Sequence, residues 1–419
     1  MSRVLIIGAG GVAGVGFAKC CQNDKVFTDI CIASRTLARC ETLKSRWEGR
    51  TTANIVTARI DAGEKEQLTA LMRDFRPDIC MHLGMAYHNL TIMDACLECK
   101  VHYLDTASYE PENTDEPFYA SYMEKRASGK RFTGVYDFGC QWEYMERFQR
   151  AGITGVLGAG FDPGVTGVFA AYALKHYFDS IEYIDIMDCN GGDHGYPFAT
   201  NFNTEINLRE VSAPADYWEN GEWVPVPAMS VKKEYDFAQI GKKDMYLLHH
   251  EEIETFAKNI PGIKRMRFFM TFGQSYLTHM KCLENVGMLS TKPVMYEGRE
   301  IVPLKFLKTV MPDPSGLGPR TKGKTNIGCI FSGYKDGRKR NLYIYNVCDH
   351  EASYREIGSQ AVSYTAGVPA MIAAALVCSG EWARPGVFNL EELDPDRFMA
   401  MLNEYGLPWV IEENPVMVD

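Results

Sequence analysis

At 419 residues the chain is too long for one ordinary domain and fits two or three packed together. Hydrophobic residues at 46 % and charged ones at 23 % exclude a disordered or fibrous chain. A net charge of −10 argues against nucleic-acid binding, which needs a basic surface, and is compatible with a cationic small substrate.

The chain opens on an apolar strand with no leader resembling a signal peptide, and its thirteen cysteines are scattered and odd in number. Free thiols in a reducing cytoplasm are the expectation. The longest apolar run, 366–377, is too short to span a bilayer and is interrupted by Gly367 and Pro369, so no membrane partner is expected.

Residues 4–14, VLIIGAGGVAG, read as a buried strand, a glycine turn and a helix start. Gly8 permits the tight turn, Gly10 lets backbone approach a pyrophosphate, and small Ala13 allows close helix–strand packing. Gly11 and Val12 complete a loop whose free N–H groups and positive dipole end suit phosphate.

Alternation continues with strands at 29–34, 54–61, 78–84 and 101–107, and helices at 37–47, 66–75 and 90–99. That order predicts a doubly wound parallel sheet, whose ligands bind beyond the carboxyl ends of the strands. Asp61, Gly84, Asp105, Thr106 and Ala107 therefore belong on one rim. At the second strand's tip, where an acidic residue would hold a free ribose 2′-hydroxyl, the chain has Ser34, Arg35 and Thr36. A guanidinium fork with two hydroxyls suits a 2′-phosphate, which points to NADP rather than NAD.

Cys96-Leu-Glu-Cys99 lacks a second pair at zinc-site spacing and reads as helix packing. No metal is expected. His249-His250-Glu251-Glu252 reads as a surface helix, because adjacent helical residues do not share a face.

A strand at 153–157 runs into GAGFDPG and then a helix, with Pro163 at the helix start. Beyond it the pattern changes. Asn220-Gly221, Glu297-Gly298 and Asp336-Gly337 each separate short strands, which predicts hairpins and a mostly antiparallel sheet. The stretch NGGDHGYPFATNFNTEINLRE mixes amides, carboxylates and an arginine, a combination suited to a small zwitterion. Near the end, SYTAGVPAMIAAALVCSG is a small-residue helix with Pro369 at its start and Gly380 at its end, expected to pack on the first domain. An amphipathic helix follows around 395–405. The domains expected are 1–160 for nucleotide, 161–362 for substrate and dimerisation as an α+β unit, and 363–419 as C-terminal helices.

Assembled, GAGGVAG, HYLDTASYE, GAGFDPGVTGVFAAYA, ATNFNTEINLRE, TFGQSYLTHMKCLENVGM, YIYNVCDHE, QAVSYTAGVPAM and GVFNLEELDPDRFMAMLNEYGLPW resemble the carboxynorspermidine (carboxyspermidine) dehydrogenase family. That family is a branch of the saccharopine dehydrogenase-like proteins. The resemblance covers nearly the whole chain; the central motifs are specific, whereas the first and SYTAGVPAM are shared more widely. It implies NADPH-dependent reductive condensation of L-aspartate 4-semialdehyde with putrescine or 1,3-diaminopropane, and a homodimer formed through the second domain's sheet. Alternatives are a saccharopine reductase using 2-aminoadipate semialdehyde and glutamate, or a non-catalytic NADP-binding sensor.

On that scheme Asp105 and Thr106 lie near the nicotinamide ribose, Phe161 and Asp162 beside the ring, and Tyr109 and Glu110 toward substrate. Asn201, Asn203 and Arg209 hold the amino-acid end, and Glu110, Asp162 or Glu205 receives the distal ammonium. Tyr109 and His194 are the candidate proton donors.

Overall fold

The computed structural model describes residues 1–111 and 138–419. The first domain carries strands β1 (Ser2–Ile7), β2 (Phe27–Ser34), β3 (Asn54–Arg59), β4 (Ile79–His82), β5 (His102–Asp105) and β6 (Thr154–Leu157). The second carries β7 (Ser180–Asn190), β8 (Ala215–Glu219), β9 (Glu222–Val226), β10 (Lys232–Phe237), β11 (Gly241–Leu248) and β12 (Arg265–Thr271). Then come β13 (Val294–Tyr296), β14 (Arg299–Ile301), β15 (Lys324–Lys335), β16 (Arg338–Asp349), β17 (Gly386–Asn389) and β18 (Trp409–Glu413).

Among the described residues the first sheet has seven strands in the order β17-β6-β5-β4-β1-β2-β3, all parallel. Val4, Leu5 and Ile6 of β1 are wholly buried, as a central strand covered on both faces requires. The second sheet runs β10-β11-β12-β7-β15-β16-β18 and is antiparallel except where β7 lies parallel to β12. All three glycine-marked hairpins form, with Asn220, Glu297 and Asp336 left-handed before their glycines.

The tail of the chain serves both sheets. β17 extends the first sheet and β18 the second, strands that the helical reading of this segment overlooked. The helix Ala361–Ser379 lies against Gly11–Gln22 so closely that a Cβ at Gly367 would stand 2.5 Å from Val15 Cβ. Small residues on that face are therefore a packing requirement. Pro369 sits inside this helix and not at its start: Gln360 caps the N-terminus through Val362 N–H, and Gly380 ends the helix in the left-handed region. This is the one helix among the described residues long and apolar enough to cross a membrane, and its apolar window is 83 % buried within the protein. Pro163 also differs from expectation, forming a cis peptide with Asp162 in a turn before the helix Val165–His176.

Candidate active site

The glycine turn after β1 is shaped for a dinucleotide. Gly8 has φ +121°, and a Cβ there would stand 2.7 Å from the Leu83 carbonyl oxygen. At Gly10 a Cβ would meet nothing within 4 Å, so the space beside this backbone is open. Gly10 is the N-cap of the helix Gly11–Gln22, with no side chain capping it and no acidic residue in the first turn. Its N–H groups are thus left for an anion. Gly11 instead abuts Ser363, and Ala13 is buried under the sheet. These residues fit a nicotinamide dinucleotide's pyrophosphate.

At the tip of β2, Arg35 is exposed and has no ion-pair partner among the described residues. The Ser34 hydroxyl is already engaged, accepting from Thr36 N–H at 3.2 Å. Arg59, paired in register with Ser34 at the end of β3, is a second exposed cation that the sequence reading missed. Asp61 follows it and closes its own turn onto Gly63 N–H at 3.0 Å.

The rim of β5 is held from beneath. Asp105 accepts from Gly158 N–H at 2.7 Å and from Gln141 Nε2 at 2.7 Å, and it is 1 % exposed. Burial pushes its carboxyl up to about 7. Its oxygens are engaged inside the protein, so Asp105 shapes the rim on which the expected cofactor-binding residues sit. Gln141 also accepts from Tyr109 N–H at 2.8 Å, and Asn89 Nδ2 donates to the Ala107 carbonyl at 2.9 Å. Thr106 and Ala107 are thereby fixed in line with Gly84, which follows β4. Phe161 is buried edge-on against Phe169, ring centroids 6.1 Å apart, so it backs the turn from the core and does not face an open site.

Opposite this rim stands a group of acids, Glu252 buried and Asp162, Asp188 and Glu210 half-buried. His250 and Glu252 are not a surface helix: His250 is the N-cap of Glu251–Asn259, and both are buried where that helix enters between the sheets. The helix has nine residues and points its first turn inward, so its acids are enclosed in spite of their charge. Glu251 accepts from Ser108 N–H at 3.0 Å, joining the helix start to the β5 rim. The His250 ring stacks on Phe268, centroids 4.1 Å apart. Its Nδ1 bonds Glu252, and its Nε2 lies 3.7 Å from Glu210 Oε1.

Asp162 and Asp188 share a hydrogen bond in the same group. Burial drives the Asp162 carboxyl well above its ordinary value, reinforced by the charge of Asp188. Burial likewise lifts Asp188 to about 6 and Glu210 to about 7, while the His250 charge acts on all three in the opposite sense. Carboxylates drawn together in a partly enclosed site attract a cation.

A mixed-charge group adjoins them on the helix Thr204–Ser212. Arg209 pairs with Glu110 at 2.5 Å, and Glu205 takes Lys308 at 2.8 Å and the Tyr87 hydroxyl at 3.4 Å. Lys308 and Tyr87 were not foreseen. The two asparagines expected beside Arg209 do other work. Asn203 caps this helix through Glu205 and Ile206 N–H, and buried Asn201 donates to Thr321 Oγ1 at 3.1 Å. His194 lies apart from the acids, in a loop with Tyr196; burial holds its pKa below the usual histidine value, with Asp193 and Arg320 as its charged neighbours. Among the described residues no three His, Cys, Asp or Glu side chains are arranged to hold a metal, and Cys96 is buried in the first domain's core.

Family models extend this picture. Residues 4–156 match the saccharopine dehydrogenase NADP-binding domain, and residues 160–407 match the saccharopine dehydrogenase C-terminal domain. The chain is 46 % identical to carboxyaminopropylagmatine dehydrogenase of Synechocystis sp., covering 98 % of this chain and 97 % of that one. It is 42 % and 41 % identical to the carboxynorspermidine synthases of Vibrio alginolyticus and Vibrio cholerae, again over 98 % of this chain and 97 % of each. Saccharopine dehydrogenase (L-Glu forming) of Saccharomyces cerevisiae has the same fold, with TM-score 0.71 and 16 % identity over 99 % of this chain and all of that one. The chain belongs to the saccharopine dehydrogenase-like family, in its carboxynorspermidine synthase branch, and is an oxidoreductase using a nicotinamide cofactor.

Proposed function

We propose that the protein uses NADPH to join L-aspartate 4-semialdehyde to a diamine, putrescine or 1,3-diaminopropane, and to reduce the resulting imine to carboxyspermidine or carboxynorspermidine. The observation that carries this reading is the cluster of acids Asp162, Asp188, Glu210 and Glu252 across from the β5 rim. An amine partner with a distal ammonium suits it, whereas glutamate, with two carboxylates, would be repelled. Names of relatives agree in kind, since norspermidine and agmatine are both cationic amines.

Arg209 and Lys308, on the flank of that cluster, supply positive charge for the semialdehyde's carboxylate. Gly8, Gly10 and the following helix would hold the pyrophosphate, with Arg35 and Arg59 around the 2′-phosphate. Bound NADPH supplies a hydride to the imine carbon, and the residues facing it orient the reactants and exclude water.

NADPH oxidation followed at saturating cofactor tests the reading. Aspartate semialdehyde with putrescine, 1,3-diaminopropane or agmatine is expected to support turnover. Turnover with aminoadipate semialdehyde and glutamate, and with none of these amines, would overturn it. Binding of NADPH without turnover of either set would return the protein to a sensor.

A further inference from the structure

His250 is clasped in a way that no structural role of a helix N-cap requires. Its backbone begins the helix, yet its side chain makes no capping bond and turns inward to the acids. One ring nitrogen, Nδ1, is bonded to Glu252, which is 1 % exposed and whose other oxygen takes the Thr166 hydroxyl at 3.4 Å. Glu252 is thereby held in place, and the ring's orientation with it. Phe268 holds one face of the imidazole. The second ring nitrogen, Nε2, is 3.7 Å from Glu210 Oε1, beyond direct hydrogen-bond distance but close enough for a small shift to join them. The side chain remains 11 % exposed, so it is reachable from the site.

We propose that His250, oriented by Glu252, delivers from Nε2 the proton that expels hydroxide when the carbinolamine of aldehyde and amine collapses, and that Glu210 restores that proton. The inference rests on the imine-forming reaction proposed above. In the step, the nitrogen lone pair becomes the second bond of C=N⁺, the C–O bond breaks, and the oxygen leaves as water with the proton from Nε2. The iminium carbon then receives hydride from NADPH, which is oxidised as the imine is reduced. One proton, taken up from solvent through Glu210, balances the turnover.

The surroundings supply what such a donor needs. Groups facing His250 are Glu251 and Glu252 from its own helix, Glu210 from Thr204–Ser212, Asp162 from the turn after β6 and Asp188 from β7. All are carboxyls, and they hold the imidazole protonated well above the usual histidine range in spite of its burial. Asp162 is less suited to the task because its hydrogen bond is shared with Asp188. Tyr109 is fixed by its backbone N–H to Gln141 on the β5 rim. The nearest sequence analogue of a proton donor, His194, is held below the ordinary value by burial and lies elsewhere.

The test compares His250→Gln, His250→Ala and Asp162→Asn, with aspartate semialdehyde and putrescine, NADPH affinity and thermal midpoint measured alongside. Loss of a general acid is expected to lower kcat about 100- to 10,000-fold with NADPH affinity unchanged. Asp162→Asn is expected to raise the amine KM more than it lowers kcat. In His250→Ala, added imidazole and substituted imidazoles should restore at least a tenth of the lost rate in an order set by their acidity, which a structural defect would not do. If His250→Gln folds and keeps a third or more of kcat, or if no added acid rescues His250→Ala, His250 is not the donor. If the wild-type protein turns over no aldehyde–amine pair, the reaction itself is wrong and the role falls with it.

Discussion

Two neighbouring glycines separate cofactor binding from folding, and their alanine variants should differ in kind. Gly10 has φ −88° and ψ −166°, which alanine adopts freely, and its Cβ would stand in open space. Gly10→Ala should therefore leave the cofactor-free protein within about 0.5 kcal/mol of wild type, since alanine also removes some unfolded-state entropy. The same methyl occupies the ground where a pyrophosphate must meet the helix N-terminus. Displacing charged oxygens from these N–H groups forfeits about 1.5–3 kcal/mol, a rise of about 10- to 150-fold in the NADPH dissociation constant. Gly8→Ala should do the reverse. Its φ of +121° excludes ordinary side chains, and a Cβ 2.7 Å from the Leu83 carbonyl meets backbone that cannot swing aside. That strain costs about 1–3 kcal/mol or more and should lower the thermal midpoint before any cofactor is added. Fluorescence titration with NADPH and a cofactor-free melt distinguish the two. A Gly10→Ala protein that binds NADPH like wild type, or melts well below it, would refute this reasoning.

Arg35→Ala should raise the KM for NADPH at least about tenfold while hardly changing that for NADH, because only the former loses a charge-assisted contact; equal changes would assign Arg35 to solvent. Burial raises Glu210 to about 7 and Asp188 to about 6, so both ionise as pH rises through that window and the cluster's hold on an ammonium grows. The putrescine-induced increase in thermal midpoint should accordingly be larger at pH 7.5 than at pH 5.5, whereas the free protein loses these groups' contribution over the same rise, since their folded pKa values lie above the unfolded ones. Lys19, 2 % exposed, donates to Glu356 at 2.6 Å, Tyr364 at 2.7 Å and the Tyr405 carbonyl at 2.9 Å, tying the nucleotide helix to the C-terminal segment. Lys19→Met should cost about 2 kcal/mol in denaturant unfolding, less than a fully buried pair because Glu356 is 39 % exposed and rehydrates.

The first domain was legible because its signals are local. A strand, a turn that only glycine permits and a small-residue helix lie consecutively at 4–14, and the hairpin glycines mark their own turns. The acidic cluster is assembled differently: Asp162 comes from a loop, Asp188 from a strand, Glu210 from one helix and His250 with Glu252 from another. Their spacing along the chain carries no periodicity, and charged residues near a helix start ordinarily face water. Only the entry of Glu251–Asn259 between the two sheets turns that rule around. Asn201 and Asn203 misled for the opposite reason, because amides that suit a substrate also suit a helix cap or a buried link between loops. β17 and β18 were obscured by distance, since each pairs with a strand far earlier in the chain.

The most direct measurement supplies NADPH deuterated at the transferring hydride, together with aspartate semialdehyde and putrescine, and determines the product's mass. The account predicts one product whose mass equals aldehyde plus diamine, less water, plus one deuterium and one proton. Deuterium found only in a simple alcohol from the aldehyde, or in saccharopine when glutamate and aminoadipate semialdehyde are offered instead, would contradict it.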